Sequence, residues 1–218
     1  TYDDGRLTIS GSGAMADYYE SSATPWFQQA GHVKELVIGD GVTHIGDKAF
    51  AYFGGVTSVW LPDSLKTIGS YAFSDTKLLG IRIPEGVTEI GDSAFMSCAN
   101  LTSVTLPDSL TSVGYWAFGY CAGLESLELP DGLEMIDDYA FCGCSGVKSL
   151  TIPGTAKNIG ENAFSSWTGL KELVISDGVE TIGRMAFSDS HLQTLVLPDS
   201  VVTLGDAALR RAVDVYYG

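Results

Sequence analysis

Histidine and cysteine are scarce in this 218-residue sequence, which holds three of the first and four of the second. Four cysteines beside 26 glycines exclude a small disulfide-scaffolded fold. Cationic side chains are few as well. Twelve Lys and Arg stand against 27 Asp and Glu, for a formal net charge of -15. Such a chain repels phosphate backbones and anionic headgroups, which argues against nucleic acid as a partner. No run approaches the roughly 18 consecutive apolar residues of a spanning helix, so no membrane insertion is expected. The common catalytic signatures are missing too: there is no G-x-S-x-G, no H-E-x-x-H and no phosphate-cradling G-K-[ST]. His32 precedes the first repeat, His44 is expected to face solvent and His191 falls in a loop. Their scatter over unrelated positions argues against a Ser/His/Asp constellation, and the chain is not expected to be an enzyme.

What the sequence has in abundance is repetition. The fragment I-G-x-x-A-F recurs as Ile45–Phe50, Ile68–Phe73, Ile90–Phe95, Val113–Phe118, Ile136–Phe141, Ile159–Phe164, Ile182–Phe187 and a degenerate Leu204–Leu209. These eight copies are spaced by 22 or 23 residues. The two short intervals follow Phe73 and Phe187, where one loop residue is missing at the same place, as a surface loop on a fixed coil allows.

One unit shows the physical logic. Val104-Thr105-Leu106 alternates apolar and polar residues, so it reads as a short strand with Val104 and Leu106 facing inward. Pro107-Asp108-Ser109 ends it with turn chemistry: proline presets φ and Asp is expected to bond its own backbone. Leu110–Val113 is a second extended segment, and Ala117-Phe118 is expected to close the coil on a single helical turn. Acidic residues near the start of that turn (Asp47, Asp92, Asp138, Glu161, Asp206) are expected to serve its free N–H groups. A unit this small cannot bury its own apolar face; stacked units make one continuous interior of aliphatic and phenylalanine ladders.

The pattern L-x-x-V-x-L-P-D-S-L-x-x-V-G-x-x-A-F-x-x-C, quoted from Leu101–Cys121, resembles the BspA-type leucine-rich repeat over about residues 33–212. The resemblance implies a leucine-rich repeat solenoid, β-rich, winding as a right-handed superhelix of eight 22–23-residue coils with a parallel sheet on its concave face. It implies a secreted or cell-surface location, since similar proteins are mostly found there in anaerobic bacteria and some bind host matrix proteins. It carries over no catalytic residue.

The ends depart from the repeat. Residues 1–32 are expected to form an N-terminal cap, with Leu7–Ile9 as a strand and Pro25–Gln29 as a helical turn whose aromatics cover the first coil. Residues 213–218 read as the start of a further capping strand through Val213–Tyr217 that leads onward. With its start at Thr1 and no leader-like segment, the sequence is expected to be part of a longer protein.

Three features invite chemistry. Cys98, Cys121 and Cys144 recur at intervals of 23 and stack into one ladder; Phe53 and Trp167 hold the same position, which favours buried apolar side chains over a tetrahedral metal site. A disulfide between neighbours is the less favoured alternative, and Cys142 is expected to point outward. Asp40, Asp63, Glu85, Asp108, Asp131, Asp177 and Asp199 hold one turn position, with Gly154 the exception. Stacked carboxylates could recruit Ca²⁺ weakly, but an ordinary proline-turn role is favoured, and no cofactor is expected.

The third feature is the outward side of the strands. Read down the stack, one row is Val37, Trp60, Arg82, Thr105, Glu128, Thr151, Val174 and Val196, continuing to Tyr216. The companion row two residues earlier includes Glu35, Ser58, Gly80 and Ser103. Most are small side chains that a solvated sheet tolerates. Trp60 beside Arg82 stands out, because Trp and Arg dominate binding hot spots. The alternative is that Trp60 packs its ring on the Arg82 guanidinium, with Gly80 leaving room around both. Tyr52, Tyr115, Trp116, Tyr120, Tyr139 and Trp167 form a second candidate surface on the loops. The expected function is therefore a non-enzymatic, monomeric interaction module that binds an extracellular protein or glycan through its concave face; host matrix is one candidate partner. The alternative is a spacer for an enzymatic or anchoring module elsewhere in the protein.

Overall fold

In a computed structural model that describes residues 1–211, the chain winds as a solenoid of very short strands with almost no helix. Seven complete coils are numbered by their phenylalanines, Phe50, Phe73, Phe95, Phe118, Phe141, Phe164 and Phe187; an eighth is thin, with Leu204 51% exposed. The seven rings form a continuous stack with centroids 5.1–5.6 Å apart, and each is fully buried.

Two sheets, parallel except for the antiparallel Tyr2–Asp3 strand, and a third, non-β ladder form the walls. The second sheet is unbroken: nine strands run from Gly13–Ala14 through Val42–Ile45, Thr67–Ile68, Glu89–Ile90, Ser112–Val113, Met135–Ile136, Asn158–Ile159 and Thr181–Ile182 to Thr203–Leu204. The first sheet, made of the longer strands, is not. It divides into Tyr2–Asp3, Arg6–Ile9, Glu35–Ile38 and Ser58–Trp60; then Gly80–Arg82 with Ser103–Thr105; then Ser149–Ile152, Glu172–Ile175 and Thr194–Val196. Coil 5 contributes no strand to it, although Leu127 is buried in the usual inward place.

The expected helical turn at Ala-Phe does not form. Every second N–H bonds to the next coil instead: Lys48, Phe50 and Tyr52 donate to the carbonyls of Ser70, Ala72 and Ser74 at 2.8, 2.9 and 2.9 Å, while Ala49 and Ala51 between them bond three residues back at 3.2 and 3.4 Å. The same Phe-to-Ala bond recurs in every complete coil, ending with Phe187 donating to Ala208 at 2.8 Å. Residues four apart in each segment take the left-handed region as these groups are aimed along the stack, as Lys48 and Tyr52 do at φ 55° and 64°; Tyr71, Ser93, Trp116 and Tyr139 match Lys48 at φ 55° to 59°. Each such residue opposes folding by roughly 1–2 kcal/mol, and the inter-coil bonds hold it there.

The acidic residues of this segment likewise serve the neighbouring coil rather than their own turn. Asp47, Asp92 and Asp138 accept from the backbone N–H of Ser70, Tyr115 and Glu161 at 2.6, 3.0 and 2.6 Å. The proline-turn carboxylates behave differently from expectation too: the side chains of Asp63, Asp108 and Asp131 are exposed and accept no hydrogen bond among the described residues, while the adjacent Ser64 and Ser109 hydroxyls donate to Val42 and Val87 carbonyls at 2.8 Å. Gly154 breaks the acidic row for a steric reason, since a Cβ there would lie 1.9 Å from the Asp177 carbonyl oxygen.

At the N-terminus, Arg6–Ile9 and Gly13–Ala14 add a strand to each sheet, and a 3-10 turn spans Phe27–Gln29. Trp26 stacks on Phe50 with centroids 5.4 Å apart and donates its indole N–H to the Ala49 carbonyl at 2.8 Å. The Val213–Tyr217 strand expected from the sequence lies outside the described residues.

Candidate binding face

Strand alternation dictates which side chains leave the first sheet. Trp60, Arg82, Thr105, Glu128, Thr151 and Val196 are exposed, and Val37 and Val174 are half-buried, as are the inward-pointing Val104 and Leu106. Ser58 is exposed in the companion row. Glu35 is already engaged: Arg6 donates to both of its carboxylate oxygens at 2.8 and 3.0 Å, which ties the row's first acid to the preceding strand. Tyr216 lies outside the described residues.

Trp60 is 50% exposed and takes no part in an aromatic or cation–π contact among the described residues. The stacking on Arg82 considered from the sequence is not formed; the cation that sits over rings is Lys48, above Tyr19 and Tyr71. Gly80 does not leave open room either, for a Cβ there would meet the Ser103 hydroxyl at 2.8 Å. The face thus presents one large aromatic and one cation, unpaired with each other, on a row of small side chains.

Farther along, the missing strand of coil 5 leaves a cleft of about 470 Å³ beside coils 6 and 7, with Glu128, Asp131 and Glu172 on its rim. Sequence reasoning named Glu128 and Val174 but not this cleft. Its signal was available: Leu127-Glu128-Leu129 is the only one of the eight strand triplets without a β-branched residue, and both Glu and Leu fit a pleated strand less well than Val or Ile.

The other candidates resolve into structure. Cys98, Cys121 and Cys144 are buried free thiols that donate to the carbonyls of Phe73, Phe95 and Phe118 at 3.2–3.3 Å. At the same position Trp167, fully buried, donates its indole N–H to the Phe141 carbonyl at 2.6 Å. Cys142 does not point outward; it is 7% exposed and accepts the Ser165 hydroxyl at 3.1 Å. Burial pushes the Cys98 thiol up to about 11, and raises those of Cys121 and Cys144 well above the usual thiol range. No group of three or more His, Cys, Asp or Glu side chains among the described residues is placed to hold a metal ion.

His44 is half-buried rather than solvent-facing. Its Nδ1 lies 2.7 Å from Thr67 Oγ1 and its Nε2 lies 3.2 Å from Asp17 Oδ1. This Asp–His–Thr string has the order of a nucleophile relay, but it borders none of the clefts described, and Asp17 also accepts the Asp47 N–H at 2.9 Å. It is a clasp between the N-terminal segment and the first coils. On the loop side, Trp116 stacks on Tyr139 at 4.6 Å and on Tyr120 at 5.0 Å, so part of that aromatic surface is used up by mutual packing. Trp167 leaves it altogether for the core.

Short parallel strands, turns at fixed spacing and a stacked phenylalanine core define a leucine-rich repeat solenoid. The chain belongs to the BspA type leucine rich repeat region family, whose pattern matches residues 23–145 and 88–213. Among solved structures it is similar to the Treponema pallidum leucine-rich repeat protein, at 23% identity and TM-score 0.61, over 89% of this chain and 78% of that one. It is also similar to the pneumococcal vaccine antigen PcpA, at 20% identity and TM-score 0.52, over 93% of this chain and 68% of that one. A leucine-rich repeat protein from Bacteroides ovatus shares 26% identity over 87% of this chain and 67% of its own, with TM-score 0.47. A comparison with curated proteins returns no match.

Proposed function

We propose that the chain is a non-enzymatic interaction module of a secreted or cell-surface bacterial protein, binding an extracellular protein or glycan through the outer face of its first sheet. The observation that carries this reading is Trp60: a half-exposed indole without an aromatic partner, rising with Arg82 from a row of small residues. A large exposed aromatic beside a cation is the composition of a binding hot spot, and a stacked scaffold holds both at low entropic cost. The family supplies a repeat scaffold for such a face, and the pneumococcal antigen named above supports the surface location as an analogy of fold.

The test is binding of the immobilised protein to a panel of extracellular matrix proteins, mucins and glycans, beside the Trp60→Ala/Arg82→Ala variant. Saturable binding that falls at least tenfold in the variant supports the reading. Binding that survives the change moves the site elsewhere on the molecule, and absence of any binding by the folded protein favours a spacer.

A further inference from the structure

The first sheet carries a fault whose chemistry selects a ligand. Where each concave strand begins, one backbone bond ties it to the coil before: Thr57 to Lys34, Leu79 to Thr57, Thr102 to Leu79, Glu125 to Thr102, Lys171 to Lys148 and Gln193 to Lys171, at 2.7–3.1 Å. The corresponding bond from Lys148 to Glu125 is missing, and no backbone hydrogen bond crosses from Ser126–Leu129 to the strand on either side. The opposite wall stays closed, with Ser112, Met135 and Asn158 in register and the Phe118, Phe141 and Phe164 rings 5.3 and 5.4 Å apart. The coils therefore lose their pairing over this one stretch of the first sheet, while just beyond it Thr155 Oγ1 still donates to the Asp131 and Leu133 carbonyls at 2.7 Å. Main-chain donors and acceptors of Ser126–Leu129 are left without a strand partner, and Leu127, Leu129 and Leu150 line the cleft beside them. Three carboxylates, of Glu128, Asp131 and Glu172, stand on its rim, and no Lys, Arg or His lines it.

We propose that this cleft binds an extended basic peptide that completes the interrupted sheet. The peptide pairs with the main chain of Ser126–Leu129 over about 13 Å, the reach of four extended residues. Its alternate side chains divide as in any strand. Apolar ones enter between Leu127, Leu129 and Leu150, and Lys or Arg side chains reach the carboxylates of Glu128 and Glu172. Backbone pairing supplies affinity, and charge complementarity in a protein of net charge -15 supplies selection against acidic segments. The proposal rests on the outer face of the first sheet being the binding face, and it names a partner class for a part of that face distant in the stack from Trp60.

The experiment uses a fluorescein-labelled hexapeptide of alternating Val and Lys, titrated with the whole chain and followed by anisotropy. Its companions are a Val/Glu hexapeptide and two Val/Lys isomers N-methylated at odd or at even residues. Saturable binding of the Val/Lys peptide is expected, with at least tenfold weaker binding by the Val/Glu and both methylated peptides. Glu128→Lys/Glu172→Lys is expected to weaken it at least tenfold. A repaired strand, Leu127→Ile/Glu128→Thr/Leu129→Ile, is expected to abolish binding while slowing hydrogen exchange at residues 127–129. Equal binding by the methylated peptides would show charge attraction without strand pairing and overturn the proposal. So would absence of Val/Lys binding, and in a protein that still loses a matrix ligand on Trp60→Ala/Arg82→Ala, that result removes the cleft assignment alone. Val/Lys binding in a protein with no Trp60-dependent ligand supports the cleft and removes the Trp60 site.

Discussion

Two of the three tryptophans of the repeat, Trp60 and Trp167, show how one residue type serves opposite ends in this molecule. Trp167 is fully buried, packs edge-on against Phe164 at 5.2 Å and gives its N–H to a carbonyl that no water reaches. Trp60 stands half-exposed with neither kind of partner. Replacing Trp167 by Ala opens a large cavity and removes the shorter of two hydrogen bonds to the Phe141 carbonyl, which also accepts the Cys144 N–H at 3.4 Å, so urea unfolding should show a loss of about 3–5 kcal/mol. Trp60→Ala should change stability by less than about 0.5 kcal/mol, as surface substitutions do, while carrying the loss of binding. The cysteines follow the same buried logic. Cys98, Cys121 and Cys144 are screened from solvent, and burial raises all three thiols above their ordinary value, so thiolate is scarce at neutral pH. A thiol reagent at pH 8 should find no fast-reacting cysteine in the native protein and four after denaturation. One fast thiol would identify Cys142, the least deeply enclosed, as mobile.

At the scale of elements, the repeat was legible because its apolar residues recur with a fixed period, and every Phe of the I-G-x-x-A-F fragment duly reaches the core. The closing segment was misread as a helical turn because Ala-Phe after an acid is also what a short helix looks like. Sequence does not show that its N–H groups find carbonyls 21 or 22 residues away, and it was this tertiary partner that decided the backbone. The outward rows of the first sheet followed from strand alternation, whereas the cleft at coil 5 depends on a bond that fails to form. His44 was misread for a related reason, since its partners Asp17 and Thr67 come from other coils. That clasp has a pH signature. Asp17 accepts the Asp47 N–H and contacts His44, which together hold its carboxyl below the 3.8 of a free aspartate. A depressed carboxyl contributes stability above about pH 4 and loses it as the pH falls through the lowered value. Hydrogen exchange at Met15 and Tyr18, whose N–H groups bond to His44 and Asp47, should therefore quicken below pH 4 in the native protein. In Asp17→Asn it should already be fast at pH 7, and its acid step should shrink; an unchanged step would assign the acid sensitivity to other carboxylates.

For the molecule as a whole, three walls of inter-coil bonds and one ring stack leave stability to nearest neighbours, as in other solenoids. Electrostatics act against that stacking. Among the described residues ion pairs are few and exposed, and in the whole sequence carboxylates exceed cations by more than two to one. Along the proline-turn edge, the side chains of Asp63, Glu85, Asp108 and Asp131 are exposed and have no hydrogen bond or ion pair among the described residues, so they repel one another at a coil spacing of about 4.8 Å. That spacing is shorter than the Debye length of about 10 Å at 0.1 M salt, so physiological salt screens neighbours only in part. Raising NaCl from low to several-fold physiological levels should raise the thermal midpoint by a few degrees. Asp108→Asn/Asp131→Asn should raise it at low salt and lose most of that effect at high salt. If screening is the whole cause, CaCl₂ and MgCl₂ at equal ionic strength should act alike. A Ca²⁺ shift well beyond that of Mg²⁺, and absent from the double variant, would show instead that the stacked carboxylates converge on the larger ion, which accepts more oxygen ligands and a looser geometry.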